Sequence, residues 1–504
     1  MREKLIFEFT RKGEKVKRES LGIPNSLEKI HISVKKPEDV NGGGYLAVFD
    51  ECGNLRFQKM LSYGEQELGV GEQPKDTSVG GVTGRIGAGN WTFMCGFMFG
   101  DPVESEEDKS VEIELTISDE AIPLTEALDE AWMTSEDGNR INEKLFDWGK
   151  IYSNKTTWFK GDFHTHTRLS DGKETVENAM KKAVDMKLDF YVPTEHNLIH
   201  TGWKKTELLI VPGVEITDGL GHFNMFGITE RPVGIDGMMM ASTLEEKKKQ
   251  LLSMIEEAVE KQWIVSINHP FLHVWKWHLD EVKLDKIQCL EIINDPTYTY
   301  AIEANDRAIS FLDALWLDGH KIYGVGGSDA HNLIDERYEG ATEPSIAGDP
   351  GTYVHCPKLS AEQLLTNVRK GHMIVTRYCE VVPHIYSDTR EYLPGDEIID
   401  RKITYAVEIS GITEYPRVCL IGNSKEDTLR RIPLQVVKKS GGKFVAEQKF
   451  KMEQGSWRWI RMEIRDESGK FLGYVNPVYT GQKESQYHTY GEVKAVWESK
   501  KNAN

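Results

Sequence analysis

The spacing of apolar positions changes character twice along this chain. Up to about residue 155 the apolar positions alternate in short runs. "YLAVF" and "LRFQKML" flank the turn signal "DECGN", and "GNWTFMCGFMFG" and "KSVEIELTISDE" continue the pattern. Period-two runs broken by Gly, Asn and Asp predict hairpins, and a series of hairpins predicts a β-sandwich-like domain over 1–155. The acidic run "ESEED" reads as a solvated loop. The segment "TEALDEAWMTSEDGNRINEKLFDWGKIYSNKTTW" reads as a connector, partly helical.

From about 156 to 378, strand-like runs ("FYVPT", "LLIVPGVEI", "FNMFGI", "WIVSIN", "CLEII", "IYGVGG") alternate with amphipathic patterns ("ETVENAMKKAVDMKL", "TLEEKKKQLLSMIEEAVEKQ", "AIEANDRAISFLDALWLDG"). Strand–helix alternation predicts a parallel α/β domain, open or closed into a barrel. After 379 the period returns to two ("ITYAVEISG", "RVCLIG", "KFVAEQKFKM", "WRWIRMEIRDESGKFLGYV"). This predicts a second β-sandwich-like domain over 379–504 with a frayed polar tail, "ESKKNAN".

Composition narrows the function classes. A net charge of −18 over 504 residues leaves no basic face for general nucleic-acid binding. No run approaches the ~18 apolar residues of a membrane span, and the N-terminus has no apolar signal core. Cys52, Cys95, Cys289, Cys356, Cys379 and Cys419 are scattered without a CxxC, which suits reduced thiols. The expectation is a soluble, cytoplasmic protein; oligomeric state is not legible.

The chemistry lies at the carboxyl ends of the central strands, where parallel α/β folds gather their site residues. His164 and His166 are spaced i, i+2, so both imidazoles face one side of a strand. Asp171 follows in a Ser-Asp-Gly turn. His196 follows "FYVPTE", Glu215 ends "LLIVPGVE", His222 opens the next strand, and His269 ends "WIVSIN". Asp329 and His331 follow "IYGVGGS", again i, i+2. A single histidine after a strand is usually a satisfied polar residue. Six imidazoles and three carboxylates at the same kind of position are not explained that way.

The motifs "HTHTRLSDG", "TEHN", "VPGVEITDGLGHF", "INHP" and "GGSDAHN", in this order, resemble the PHP (polymerase and histidinol phosphatase) superfamily of metal-dependent hydrolases. The flanking β domains and "LLTNVRKGHMIVT" are similar to its CehA/McbA-type branch. The resemblance implies a central distorted (β/α)7 barrel with a metal site of two or three divalent ions. In that reading His164, His166, Glu215 and Asp329 hold a first cation. Glu215 bridges to a second, completed by His222 and His269, and Asp171, His196 and His331 hold a third. Imidazole and carboxylate without thiolate suit Zn, Mn or Fe.

The implied reaction is phosphoester hydrolysis by attack of a metal-bound hydroxide on a small phosphomonoester or phosphodiester. Three divalent cations against three carboxylates leave about +3, which attracts phosphate. Glu215, Asp329 and Arg168 carry catalysis in this reading. Arg168, Arg377, His273 and Asn294 are the candidate substrate contacts. The resemblance implies a smaller residue where Arg168 stands, so Arg168 either meets substrate or bridges to an acid. His200, His273 and His278 read as pocket wall or surface rather than proton donor. Trp275, Trp277 and Tyr298 read as loop packing. Two alternatives stand beside this one: hydrolysis of a carboxylic or carbamate ester by the same cluster, and a binding protein that uses the barrel as scaffold.

Overall fold

The computed structural model describes residues 1–37, 42–100, 109–424, 426, 428–453 and 455–502. The "ESEED" run lies outside the described residues. Two four-stranded antiparallel sheets make up the first part. One contains Arg2–Thr10, Ser110–Ser118, Lys29–Lys35 and Gln66–Gly71; the other contains Val16–Ile23, Gly89–Phe99, Gly42–Phe49 and Leu55–Leu61. Alternate residues from both, among them Ile32, Val34, Val48, Phe57, Phe93 and Leu115, share one apolar core. The "DECGN" turn closes on the Asp50 carboxylate, which accepts from the Cys52 and Asn54 amides at 3.0 and 2.9 Å.

The connector departs from its expected partial helicity. Among the described residues no helix lies between 119 and 156; the only strand there is Glu130–Ala131. Polar side chains capture the backbone locally: Asp137 accepts from the Thr134 amide, Asn142 from that of Lys144 and Asp147 from that of Gly149. The segment also exchanges backbone bonds with both neighbours, Leu128 with Thr77 and Trp132 with Thr201. Those long-range bonds compete successfully with an isolated helix.

Seven central strands matter for the site: β1 (Thr157–Asp162), β2 (Phe190–Tyr191), β3 (Gly213–Asp218), β4 (Gly221–Phe226), β5 (Ile264–Ile267), β6 (Cys289–Asn294) and β7 (Tyr323–Gly327). The pairs β1–β2, β5–β6 and β6–β7 are parallel. Contrary to a purely parallel expectation, β3–β4 and β4–β5 are antiparallel, because Asp218 to Gly221 is too short for a crossover and closes a hairpin at Gly221. Single parallel bridges, Thr165 to Ala330 and His196 to Glu215, join the ends of β1 to β7 and of β2 to β3.

The connecting helices include α1 (Val176–Asp185), α2 (Leu244–Glu260) and α3 (Ala301–Asp318). Helix α2 begins with a reciprocal Thr243–Glu246 capping box, which satisfies two otherwise orphaned amides.

The expected boundary at 378/379 does not break a sheet. Strand Met373–Thr376 pairs with Phe471–Thr480, so β1 and the last strands belong to one nine-stranded sheet. A second, five-stranded sheet packs on the C-terminal part of that layer across a shared core including Tyr405, Val407, Leu420 and Met462. Buried Asn476 fastens the seam, donating to the Gly324 and Met373 carbonyls at 2.9 and 3.0 Å. The described part of the polar tail, 498–502, belongs to a helix: α4 spans Tyr490–Asn502. Trp497 packs against Phe271 and Phe311, which gives this short helix the apolar contact it needs. No described helix is long and apolar enough to cross a membrane, and all six cysteines are free thiols.

Candidate metal centre

The centre is organised by buried groups beneath it. Asp162, at the end of β1, accepts from the His164 and Ser328 amides through one oxygen (3.0 and 3.1 Å) and from the Gly348 amide through the other (2.7 Å). Burial pushes its carboxyl up to about 6. This arrangement ties the segment carrying His164 and His166 to the segment carrying Asp329. Gly327 lets the two approach: a Cβ there would stand 2.2 Å from that of His164 and 2.7 Å from Glu291 Oε1. Two candidate ligands, His269 and Asp329, have left-handed backbone, with φ of 26° and 50°. Strain of that kind persists only where the surroundings overdetermine it.

Glu215 lies at the middle. Its two oxygens come within 3.6 Å of five imidazoles: His164 Nε2 at 3.2 Å, His196 Nδ1 at 2.6 Å, His222 Nδ1 at 3.1 Å, and His166 and His269 Nε2 each at 3.6 Å. Asp329 Oδ1 lies 3.0 Å from His166 Nε2 and 3.3 Å from His164 Nε2. Farther out, Asp171 Oδ1 lies 3.2 Å from His331 Nε2 and 3.5 Å from His196 Nε2. All nine predicted ligands are thus brought together. They form four overlapping groups whose donor atoms lie within 4.8 Å of one another, each able to hold a cation.

The donor chemistry fits divalent ions. His164 Nε2, His166 Nε2, Asp171 Oδ1, Glu215 Oε2 and Asp329 Oδ1 are all buried without a well-directed hydrogen bond. Their aim is convergent, and orphaned donors of this kind are costly unless something charged completes them. The facing nitrogens of His331 and His196, 3.4 Å apart, point the same way.

Electrostatics follows from this crowding. Burial by itself would raise Glu215, yet His164, His196 and His222 hold it well below the ordinary carboxylate range. Burial opposes a proton on His331, but Asp171 and Asp329 push it up to about 10; Asp171 and Glu215 likewise bring His196 to about 8. His166 moves the other way, to about 4, through burial and the neighbouring His331 and His196. A cation would therefore displace protons from His164, His196 and His331 at neutral pH. Metal affinity is expected to rise between pH 6 and 9, with proton release visible as a buffer-dependent heat in calorimetric titration. A pH-independent affinity with no proton release would contradict this arrangement.

Sequence reasoning missed the supporting carboxylates. Glu291, on β6, lies 3.0 Å from His164 Nδ1 and accepts from the His269 amide at 2.9 Å. With Nδ1 donating to Glu291, Nε2 is left as the ligand atom. A lone acid inside the apolar run "CLEII" was the signal available. Glu195 lies on the far side, where it accepts from the Thr167 and Ser170 hydroxyls and lies 2.9 Å from His200 Nε2. His200 therefore supports Glu195, and its Nε2 is directed at that carboxylate.

The predicted substrate contacts scatter. Buried Asn294 donates to Asp329 Oδ2 and Glu291 Oε2, each at 3.2 Å, so it orients a ligand. Arg168 donates from Nε to the Lys173 carbonyl at 2.9 Å and lies over the Tyr63 ring. Arg377 is buried against Asp349 and Glu343, both at 2.9 Å. His273 is exposed and stacks on Tyr300. Of the aromatic residues, Trp277 is core and Trp275 is exposed near Tyr298.

No family model matches the chain, and no curated protein matches it. Among solved structures, a protein from Bifidobacterium adolescentis provisionally assigned as a metal-dependent phosphoesterase is similar over 37% of this chain and 91% of its own, with 14% identity and a TM-score of 0.23. A likeness at that level establishes neither the fold nor the function of this chain.

Proposed function

We propose that this chain is a metal-dependent hydrolase of small esters, of the PHP type, with phosphate esters as its substrates. On this reading the seven strands and the two bridges that join them form a distorted barrel, and its strand ends carry the centre. The observation that carries the proposal is that five buried ligand atoms without a hydrogen-bond partner fall within overlapping groups of cation-sized spacing.

Divalent cations held by His164, His166, Asp171, His196, Glu215, His222, His269, Asp329 and His331 would acidify a water and polarise an ester oxygen. The chain's own residues prepare that chemistry. Glu291 and Asn294 fix the orientations of His164 and Asp329. Glu195 fixes the turn between His166 and Asp171 through Thr167 and Ser170. His222 and His196 complete the shell around Glu215.

The test is metal analysis of purified protein with turnover of p-nitrophenyl phosphate and its bis-ester. Bound metal together with turnover supports the proposal. Absence of metal after mild purification, with unchanged properties in His164→Ala, would sink it. Asp171→Ala is expected to empty the subsite shared with His196 and His331 while the His164 and Glu215 groups stay loaded, as read by metal content per chain.

One observation favours the neutral-ester reading. Phosphate recognition gains from a cation beyond the metals, yet Arg377 is spent on Asp349 and Glu343, and the Arg168 guanidinium lies on Tyr63. Turnover of carboxylic or carbamate esters, with none of phosphate esters, would select that reading.

A further inference from the structure

Asp171 is held differently from the other carboxylates of the cluster. The Glu215 side chain is fully enclosed and that of Asp329 is 15% exposed, whereas that of Asp171 is 39% exposed. Enclosure therefore contributes least to placing Asp171, and the backbone of its turn contributes most. The N-terminal sandwich holds that turn carbonyl by carbonyl.

The Lys59 ammonium donates to the Arg168 oxygen, and the Met60 amide to the Leu169 oxygen at 2.9 Å. The Ser62 hydroxyl donates to the Ser170 oxygen at 3.3 Å. The Tyr63 hydroxyl donates its one proton to the Gly172 oxygen at 2.6 Å, with the Asp171 oxygen beside it at 3.3 Å. The Tyr63 ring also carries the Arg168 guanidinium, 5.0 Å from its centroid. Leu169 is fully buried, and its Cδ1 comes within 2.5 Å of where a Cβ on Gly80 would stand. Four residues of the sandwich thus register, in order, with the five residues that lead from His166 to Asp171 and beyond.

We propose that the N-terminal sandwich is a positioning element for the outer cation subsite, with Tyr63 the positioning residue for Asp171. The proposal rests on the metal-dependent reading above. Without the Tyr63 hydroxyl, the Asp171 and Gly172 carbonyls turn to water and the Asp171 carboxylate loses its fixed direction toward His196 and His331. Loss of an outer-shell partner weakens metal binding by about 10- to 100-fold.

The experiment uses the whole chain loaded with zinc or manganese and titrated against a chelator. It compares wild type with Tyr63→Phe, Lys59→Met and Asp171→Ala. Tyr63→Phe is expected to release its weakest cation at about 10- to 100-fold lower chelator strength, with the remaining cations held as in wild type and the metal-free chain still folding cooperatively. Lys59→Met, which frees the Arg168 carbonyl, is expected to shift the same cation in the same direction, and decides the matter if Tyr63→Phe does not fold. Wild-type retention in the folded variants, while Asp171→Ala loses a cation, overturns the inference and leaves the metal reading intact. A wild-type protein that binds no cation removes the metal reading, and this inference with it.

Discussion

Glu215→Ala is expected to strip cations from more than one subsite and to lower hydrolysis by at least ~1000-fold, since metal stabilisation of a transition state is worth several kcal/mol. The reason is geometric. Glu215 belongs to two of the four ligand groups and lies within 3.6 Å of five imidazoles. Asn268 also donates to it at 2.9 Å. Its removal takes away a carboxylate that those imidazoles share and leaves a cluster of imidazoles that repel a cation once protonated. Glu215→Gln keeps the volume and the Asn268 contact zone but removes the charge, so it separates shape from electrostatics. Metal content by elemental analysis, read beside the rate, checks the result. Full metal and full rate in Glu215→Ala would show that this residue does not bridge.

The second large effect is expected far from the site. Arg461, on strand Arg458–Arg465 of the nine-stranded sheet, is fully buried and pairs with Asp313 of α3 at 2.6 and 2.8 Å, and with Glu463 at 2.9 Å. Neither side chain has access to water, so truncating Asp313 leaves buried Arg461 with Glu463 alone, a carboxylate it shares with Arg465. Asp313→Ala is expected to cost about 3–5 kcal/mol. The pair joins α3 to a C-terminal strand 148 residues away, so the loss is expected at the seam between those parts. Urea unfolding followed by tryptophan fluorescence measures it, because Trp316 and Trp457 stack at the same seam. Replacing both partners by apolar residues, Asp313→Leu with Arg461→Met, should recover most of the loss. A cost below about 1 kcal/mol for Asp313→Ala would mean that the pair is not desolvated as described.

The nine candidate ligands were readable because their signal is local. His164 with His166, and Asp329 with His331, announce themselves by i, i+2 spacing at strand ends, and Glu215 and His222 by their places at the end of one strand and the start of the next; that the two strands form a hairpin was decided by the fold. The three central helices α1, α2 and α3 were equally legible: the period of "TLEEKKKQLLSMIEEAVEKQ" and its Thr243 cap lie within one segment. Arg168 drew notice as a charged residue inside a ligand motif, but no local pattern shows where its guanidinium lies: it sits over Tyr63, more than a hundred residues earlier in the chain. The connector looked partly helical because its composition permits a helix, and nothing local reveals the long-range bonds that win.

Along the chain, then, residue chemistry and period already mark most of the strands, the three amphipathic helices of the central part and the side chains able to bind a cation, since these depend on neighbours a few positions apart. Tertiary packing decides which atom faces which. Glu291 reaches His164 across 127 residues, Tyr63 reaches Gly172 across 109, and Asn476 joins Gly324 across 152. Such contacts exist only after chain folding has met the cost of bringing distant segments together, and no local pattern records their outcome. The candidate ligands could therefore be named before the fold was known, but their supports could not.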